Sequence, residues 1–146
     1  MKVGVDYIGA CVACYCNDGK GNFVMQKRSQ KCRDEKGSWE FGGGQLEFGE
    51  EISEGALREV REEYGVDGEV QEQLPSLSLL RENDGVKTHW VATPFFVKVD
   101  PKKVVITDHE STDEIGIFRL DKLPEPLHTG VARQLVLYKS YFDKYR

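Results

Sequence analysis

Apolar and polar positions change period along the chain, and the changes mark out its elements. Tyr7–Cys16 and Phe23–Arg28 are rich in β-compatible residues and read as two strands. Between them, Asn17-Asp18-Gly19-Lys20-Gly21-Asn22 supplies the positive-φ positions a hairpin connection needs. Ser29–Ser38 is polar and basic, hence a loop, and Trp39-Glu40-Phe41 reads as a short strand running into Gly42-Gly43-Gly44. The period then becomes helical. In Glu51–Tyr64 the residues Ala56, Leu57, Val60 and Tyr64 recur at helical spacing, and Gly65 stands where a C-terminal cap belongs. Two strands follow, roughly Gly68–Leu80 and Val86–Val99, joined at Asn83-Asp84-Gly85. Lys102–His109 holds one more short strand or a loop, and Ile115–Leu120 is a strand. After the break at Leu123-Pro124-Glu125-Pro126, Val131–Tyr141 reads as a closing helix with Val131, Leu135, Tyr138 and Phe142 on one stripe. A sheet with one internal and one terminal helix predicts a mixed α/β sandwich.

Length and composition narrow this. The 146 residues fit one domain spanning 1–146, with no repeat and no linker long enough to divide it. An apolar share of 39% and a charged share of 31% are ordinary for a globular chain. No run approaches the roughly 20 apolar residues of a membrane span. The start, Met1-Lys2-Val3-Gly4-Val5-Asp6, places an acid where a secretory signal keeps its apolar region, so a cytoplasmic location is expected and no membrane partner. A net charge of −5 argues against a nucleic-acid groove-binder, and an acidic protein that handles phosphates needs cations to mediate. Cys11, Cys14 and Cys16 sit in the first strand, with Cys14 and Cys16 on one face and Cys11 on the other. Buried thiols are preferred over zinc, which wants a second ligand pair, and a disulfide is disfavoured in a reducing compartment.

The chemistry concentrates on the internal helix. At about 100° per residue, Glu59, Glu62 and Glu63 fall within about one quadrant, beside the stripe of Leu57, Val60 and Tyr64. Like charges at about 5 Å repel by roughly 3 kcal/mol at an effective dielectric near 20. Arg58 and Arg61 offer partners, so a solvated charged helix competes with a metal-binding face. The glycines upstream favour the metal: without side chains, the backbone at Gly43 and Gly44 can approach an ion or a phosphate closely. Hard cations such as Mg²⁺ want the oxygen ligands these residues carry.

From Gly44 to Val66 the chain reads Gly-x5-Glu-x7-Arg-Glu-Val-x-Glu-Glu-x-Gly-Val, through Gly44, Glu50, Arg58, Glu59, Val60, Glu62, Glu63, Gly65 and Val66. This resembles the Nudix box at every defined position, and the flanking hairpin and Trp39-Glu40-Phe41 resemble the MutT-like branch. The resemblance implies a Nudix-type α/β/α sandwich with a mixed sheet, an internal catalytic helix and a C-terminal helix. It implies hydrolysis of nucleoside diphosphates linked to a further group, using Mg²⁺ or Mn²⁺. Glu62 and Glu63 would be principal metal ligands, Glu59 a ligand or the general base, and the Gly43 carbonyl an extra ligand. Arg58 would orient the glutamates, and Glu50 would add a ligand or fix the loop. Some relatives take the base from a later loop, where Glu110, Asp113 and Glu114 are available and Glu114 fits best. Arg28, at the end of the second strand, stands where MutT-like proteins hold a phosphate-contacting arginine, whose planar fork suits phosphate. Two departures loosen the match: Gly42 replaces a common proline, and Gln45 stands where relatives often carry lysine, leaving a neutral phosphate contact beside Gly44.

The flanks Leu46-Glu47-Phe48-Gly49-Glu50 and Thr88-His89-Trp90-Val91 look more like nucleoside triphosphate pyrophosphatases than like ADP-ribose or diadenosine-polyphosphate hydrolases. Trp90 or Phe95 could stack on a base, although strand aromatics are more often core. The expectation is Mg²⁺-dependent conversion of a nucleoside triphosphate, modified or not, to monophosphate and pyrophosphate. The alternatives are hydrolysis of a nucleotide sugar or ADP-ribose, and a Nudix-fold nucleotide-binding module without catalysis. The partner expected is a small nucleotide, and a homodimer stays open.

Overall fold

In the computed structural model, which describes residues 1–146, eight strands form one mixed sheet between helices. The strands are β1 (Gly9–Asn17), β2 (Asn22–Arg28), β3 (Trp39–Glu40), β4 (Gly42–Gln45), β5 (Glu69–Gln73), β6 (Leu77–Asn83), β7 (Val86–Lys98) and β8 (Thr112–Arg119). The helices are α1 (Ile52–Tyr64), α2 (Thr129–Leu137) and the short α3 (Lys139–Phe142). No helix is long and apolar enough to cross a membrane.

The centre of the sheet is the parallel pair β1–β7, in register from Gly9↔Trp90 to Asn17↔Lys98. The β7 strand is long enough to pair β6 along its first half and β5 along its second. On the other side of β1 the sheet divides. β1 meets β2 only at Asn17↔Phe23, while Cys11–Cys14 pair with β4, and β2 carries β3 and β8. An opening therefore lies between the β1–β4 and β2–β3 halves, and the chain crosses it at Phe41.

Alternation along β1 feeds two cores. Val12, Cys14 and Cys16 face α1 and pack with Val24, Ala56, Val60, Tyr64, Phe95 and Val97. Tyr15 faces the other way and packs with Phe23, Phe41, Phe96, Tyr138 and Phe142, and Cys11 joins that side. The thiols are free, on the faces expected. Complete burial of side chains such as Val60 and Phe95 stabilises the sandwich by about 1.5–3 kcal/mol each.

Several boundaries differ from the sequence reading, each for a local reason. The segment Gly68–Leu80 is two strands, because Pro75 lacks an amide for the ladder and Leu74 turns into the core, its amide donating to the Pro94 carbonyl. Gly42-Gly43-Gly44, which the short strand runs into, is itself strand, paired with Cys14, Ala13 and Val12. Lys102–His109 holds no strand: it starts inside a 3-10 turn at Pro101–Lys103 and continues as a loop. The closing helix starts at Thr129 and breaks at Tyr138, whose φ of −105° and ψ of 25° leave the α region. α1 ends as its glycine predicts: Gly65 adopts φ 68° and its amide donates to the Arg61 carbonyl.

Candidate active site

The buried stripe of α1 lies on the sheet, and its acidic border lies over β4. Glycine in β4 is a matter of space. A Cβ on Gly42 would run into Glu63 Oε2, and one on Gly44 into the Glu59 carboxylate. The Gly43 amide donates to both oxygens of Glu63, at 3.3 and 3.2 Å. Helix and strand thus approach closely because Gly42, Gly43 and Gly44 have no side chains, and the carboxylates occupy the room this leaves.

Arg58 organises the cluster. Its Nε and Nη2 donate to the Glu50 carboxylate at 3.0 and 2.7 Å, and Nη2 also donates to the Gln45 carbonyl at 3.0 Å. Its Nη1 donates to Glu59 at 2.9 Å and to Glu62 at 3.1 Å. With its side chain only 17% exposed, this is not the surface ion pair that contributes little. Glu50 fixes the loop: its carboxylate also accepts the Glu47 amide at 2.7 Å. Hydrogen bonding to Arg58 above all holds its pKa down at about 2.

The other acids are pushed the opposite way. Burial raises the pKa of Glu59, against the pull of Arg58. Burial raises Glu63 to about 8, its bonds to Gly43 offset it only in part, and the charges of Glu59, Glu40 and Glu62 add to the rise. Beside these groups is a cavity of about 220 Å³ with no apolar wall, lined by Gln26, Glu59, Glu62, Glu63, Thr107 and Asp108 among others. Thr107 Oγ1 donates to the Glu62 and Glu63 carbonyls at 2.6 and 2.9 Å and ties this loop to the end of α1.

These features test the fit of a hard cation. As the side chains stand, no three of them converge tightly enough to chelate an ion, because Arg58 holds Glu59 and Glu62. The donor chemistry fits: oxygen ligands only, around a polar cavity, with surplus negative charge that shows in the raised Glu63. Glu59, Glu62 and Glu63 are the residues that would hold the ion.

A larger cavity, about 580 Å³, lies on the opposite face of the sheet, floored by Ala13, Phe41, Leu79 and Val131 and rimmed by Arg28, Glu40, Arg81, Asn83, His128 and Arg133. Gly42 belongs to its wall and also backs Glu63, which lines the acidic cavity, so this one residue of β4 touches a wall of each. The cleft between the β1–β2 turn and Pro101, about 740 Å³, is larger still but holds none of these acids.

The structure brings Gly43, Gly44, Arg58, Glu59, Glu62 and Glu63 together and separates others. Arg28 reaches the large cavity, but Asp34 at 2.7 Å and Glu40 at 3.1 Å already hold its guanidinium. The Gln45 side chain is exposed at the end of β4 and lines neither cavity. Glu114 does not line the acidic cavity. It pairs with Lys27, one residue before Ile115, which packs on the α1-side core, so alternation turns Glu114 to the other face. Asp108 lines the acidic cavity instead. Trp90 is not at the site either: its indole packs over Gly4 and Gly9, where a Cβ on either would collide with it. Phe95 is core.

Sequence reasoning missed Glu40, Gln26 and Asp108. Gln26 was reachable by alternation from Val24; Asp108, in an irregular loop, carried no periodic signal. It also missed Asp34 and Glu35 in the polar loop. Glu35, at φ 45°, accepts from Arg81 at 2.6 Å and from the Thr129 amide at 2.8 Å, and lies 2.8 Å from His128 Nε2. His128 Nδ1 accepts the Gly130 amide, which leaves Nε2 as the donor to Glu35.

This arrangement of acidic helix, glycine strand and split mixed sheet is that of the NUDIX domain, whose family model matches residues 8–139. The chain belongs to the Nudix family and is a Nudix pyrophosphohydrolase. Nudix hydrolases generally use divalent metal ions and act on small-molecule nucleotides. No curated protein matches the sequence. The fold is similar to that of a MutT NUDIX hydrolase from Burkholderia pseudomallei, at 24% identity over 90% of this chain and 98% of the other, with a TM-score of 0.77. A MutT protein from Methanosarcina mazei Go1 aligns at 23% identity, covering 94% and 92%, with a TM-score of 0.68. A UDP-X diphosphatase aligns at 18% identity over 94% of this chain and 64% of the other, with a TM-score of 0.70.

Proposed function

We propose that the protein hydrolyses a nucleoside triphosphate to the monophosphate and pyrophosphate, with Mg²⁺ or Mn²⁺ held by Glu59, Glu62 and Glu63. One observation carries this reading: Gly42 walls the apolar-floored cavity rimmed by Arg28 and backs Glu63, which lines the acidic cavity. A base and ribose fit the first, and a phosphate chain leaving it runs toward the second. When bound, the ion offsets phosphate charge and lowers the pKa of the attacking water. Arg58 keeps Glu59 and Glu62 oriented, and the Gly43 amide keeps Glu63 against β4. Glu59, buried and with a raised pKa, serves as ligand or takes the proton of the attacking water; Asp108 is the later acid available for the same step. Arg28 binds the phosphates once they displace one of its two carboxylate partners.

The test is a panel of nucleoside triphosphates, nucleotide sugars, ADP-ribose and diadenosine polyphosphates with Mg²⁺, products resolved by chromatography. A triphosphate should be consumed fastest, giving monophosphate and pyrophosphate. Arg28→Ala should weaken triphosphate turnover about ten- to a hundredfold, the worth of one charged hydrogen bond of about 1.5–3 kcal/mol, and affect neutral-capped diphosphates much less. The similarity to the UDP-X diphosphatase favours a second reading, a nucleotide-sugar substrate. Faster turnover of a UDP-sugar than of every triphosphate would establish it. Tight nucleotide binding with no hydrolysis would mean a binding module.

A further inference from the structure

Tyr64 is the one side-chain hydroxyl that is fully buried and has no hydrogen-bond partner. Such a group costs stability relative to phenylalanine, which fills the same space without an unmet donor. It sits beside the acidic cluster. Its oxygen is 3.2 Å from where a Cβ on Gly42 would stand, and Glu63 Oε2 crowds that same point. The ionisable groups around it are Cys16, Glu63, Cys14 and Glu40.

Their existing bonds single out one acceptor. The Cys14 thiol already donates to the Ala56 carbonyl at 3.5 Å. Glu40 accepts both contacts of Arg28 Nη1, at 3.1 and 3.4 Å. Cys16 is a thiol in the apolar core and a weak acceptor. Glu63 is the strong acceptor short of donors: its oxygens receive only the Gly43 amide, at 3.2 and 3.3 Å. A buried carboxylate that must carry charge needs more than one long bond.

We infer that Tyr64 is a positioning residue of this site: its hydroxyl donates to the charged Glu63 carboxylate and sets the direction in which the free oxygen points. This rests on the reading of Glu63 as a cation ligand. The hydroxyl fixes one oxygen on the sheet side and leaves the other toward the acidic cavity, so the ligand is aimed before an ion arrives. Glu59 and Glu62 receive the same service from Arg58. Glu63 receives no bond from Arg58, and Tyr64 takes that place.

The test is binding of Mg²⁺ alone, by calorimetry, and of Mn²⁺ alone, by electron paramagnetic resonance, to wild type, Tyr64→Phe, Glu63→Gln and the double variant, with no nucleotide. Tyr64→Phe should weaken ion binding about tenfold, the worth of a hydrogen bond to a charged group. Its melting temperature in EDTA should be equal to or above that of wild type, and the double variant should bind no worse than Glu63→Gln. Binding by Tyr64→Phe within about twofold of wild type, less than such a bond is worth, overturns the inference. So does a tenfold effect that persists undiminished in the Glu63→Gln background, which would place the hydroxyl's role elsewhere. Wild-type ion affinity in Glu63→Gln would overturn the assignment of Glu63 as ligand, and the role of Tyr64 with it.

Discussion

Glu63→Gln separates the need for charge from the need for shape. The substituted amide keeps the volume and an oxygen to accept the Gly43 amide, but removes the charge that burial and its acidic neighbours oppose. The folded pKa of about 8 lies above the ordinary 4.5, so the neutral carboxyl is the form the fold favours. That contribution is fully present below 4.5 and is lost as pH rises through 8. At 1.36 kcal/mol per unit, the ceiling on the loss is about 5 kcal/mol above pH 8. An amide does not titrate and escapes it. A stability difference of 1 kcal/mol moves the melting temperature of a domain this size by about 2–4 °C. The variant in EDTA should therefore match wild type at pH 4.5 and exceed it by on the order of 10 °C at pH 9. Saturating Mg²⁺ should reverse the order at pH 8, because binding stabilises only the protein that retains the ligand, and the variant's kcat should fall by orders of magnitude. Thermal melts at three pH values, with and without the ion, read all of this. A Glu63→Gln variant no more stable than wild type at pH 9 in EDTA, or a gap independent of pH, would refute the reasoning.

Three further outcomes are expected. EDTA should abolish turnover and Mg²⁺ or Mn²⁺ restore it, with circular dichroism unchanged throughout; full turnover in excess chelator would sink the metal mechanism. Arg58→Ala leaves Glu50, Glu59 and Glu62 without their shared donor and should cost about 1.5–3 kcal/mol of stability by urea unfolding, the worth of a charged hydrogen bond, together with most activity. Gly44→Ala drives a methyl into the Glu59 carboxylate and should lower kcat at least tenfold while far-UV dichroism stays native; wild-type kcat would show that Glu59 has room to move without consequence.

The elements were legible where periodicity was strong and unreadable where backbone chemistry or tertiary contacts decided. The helical spacing from Ala56 to Tyr64 and the Gly65 cap located α1 to within a residue. The three glycines were noticed, but their strand character came from pairing with β1 and from carboxylates packed against them, which no local pattern carries. Arg58 and the acids on α1 were readable because one helix fixes their relative placement. The placements of Glu114 and Asp108 were not, because they depend on the β2–β8 register and on an irregular loop between distant elements. The packing of Trp90 was unreadable for a similar reason: the N-terminal glycines its indole lies over are far away in the sequence.

On the function proposed above, the opening in the sheet, where β1 leaves β2 after a single paired position and turns to β4 instead, would act as a ruler. With the nucleoside in the cavity on one face and the acids on the other, the span between them would be set by the strand backbone at Gly42 and not by any residue that counts phosphates. Lengthening the phosphate chain would extend it past the acids without moving the bond that lies over them. Shortening it to a single phosphate would leave nothing to cut, however tightly the nucleoside were held. Selectivity for the point of cleavage would then be a property of the backbone, and exchanging side chains around the nucleoside cavity would alter which base is accepted while the bond broken stayed the same.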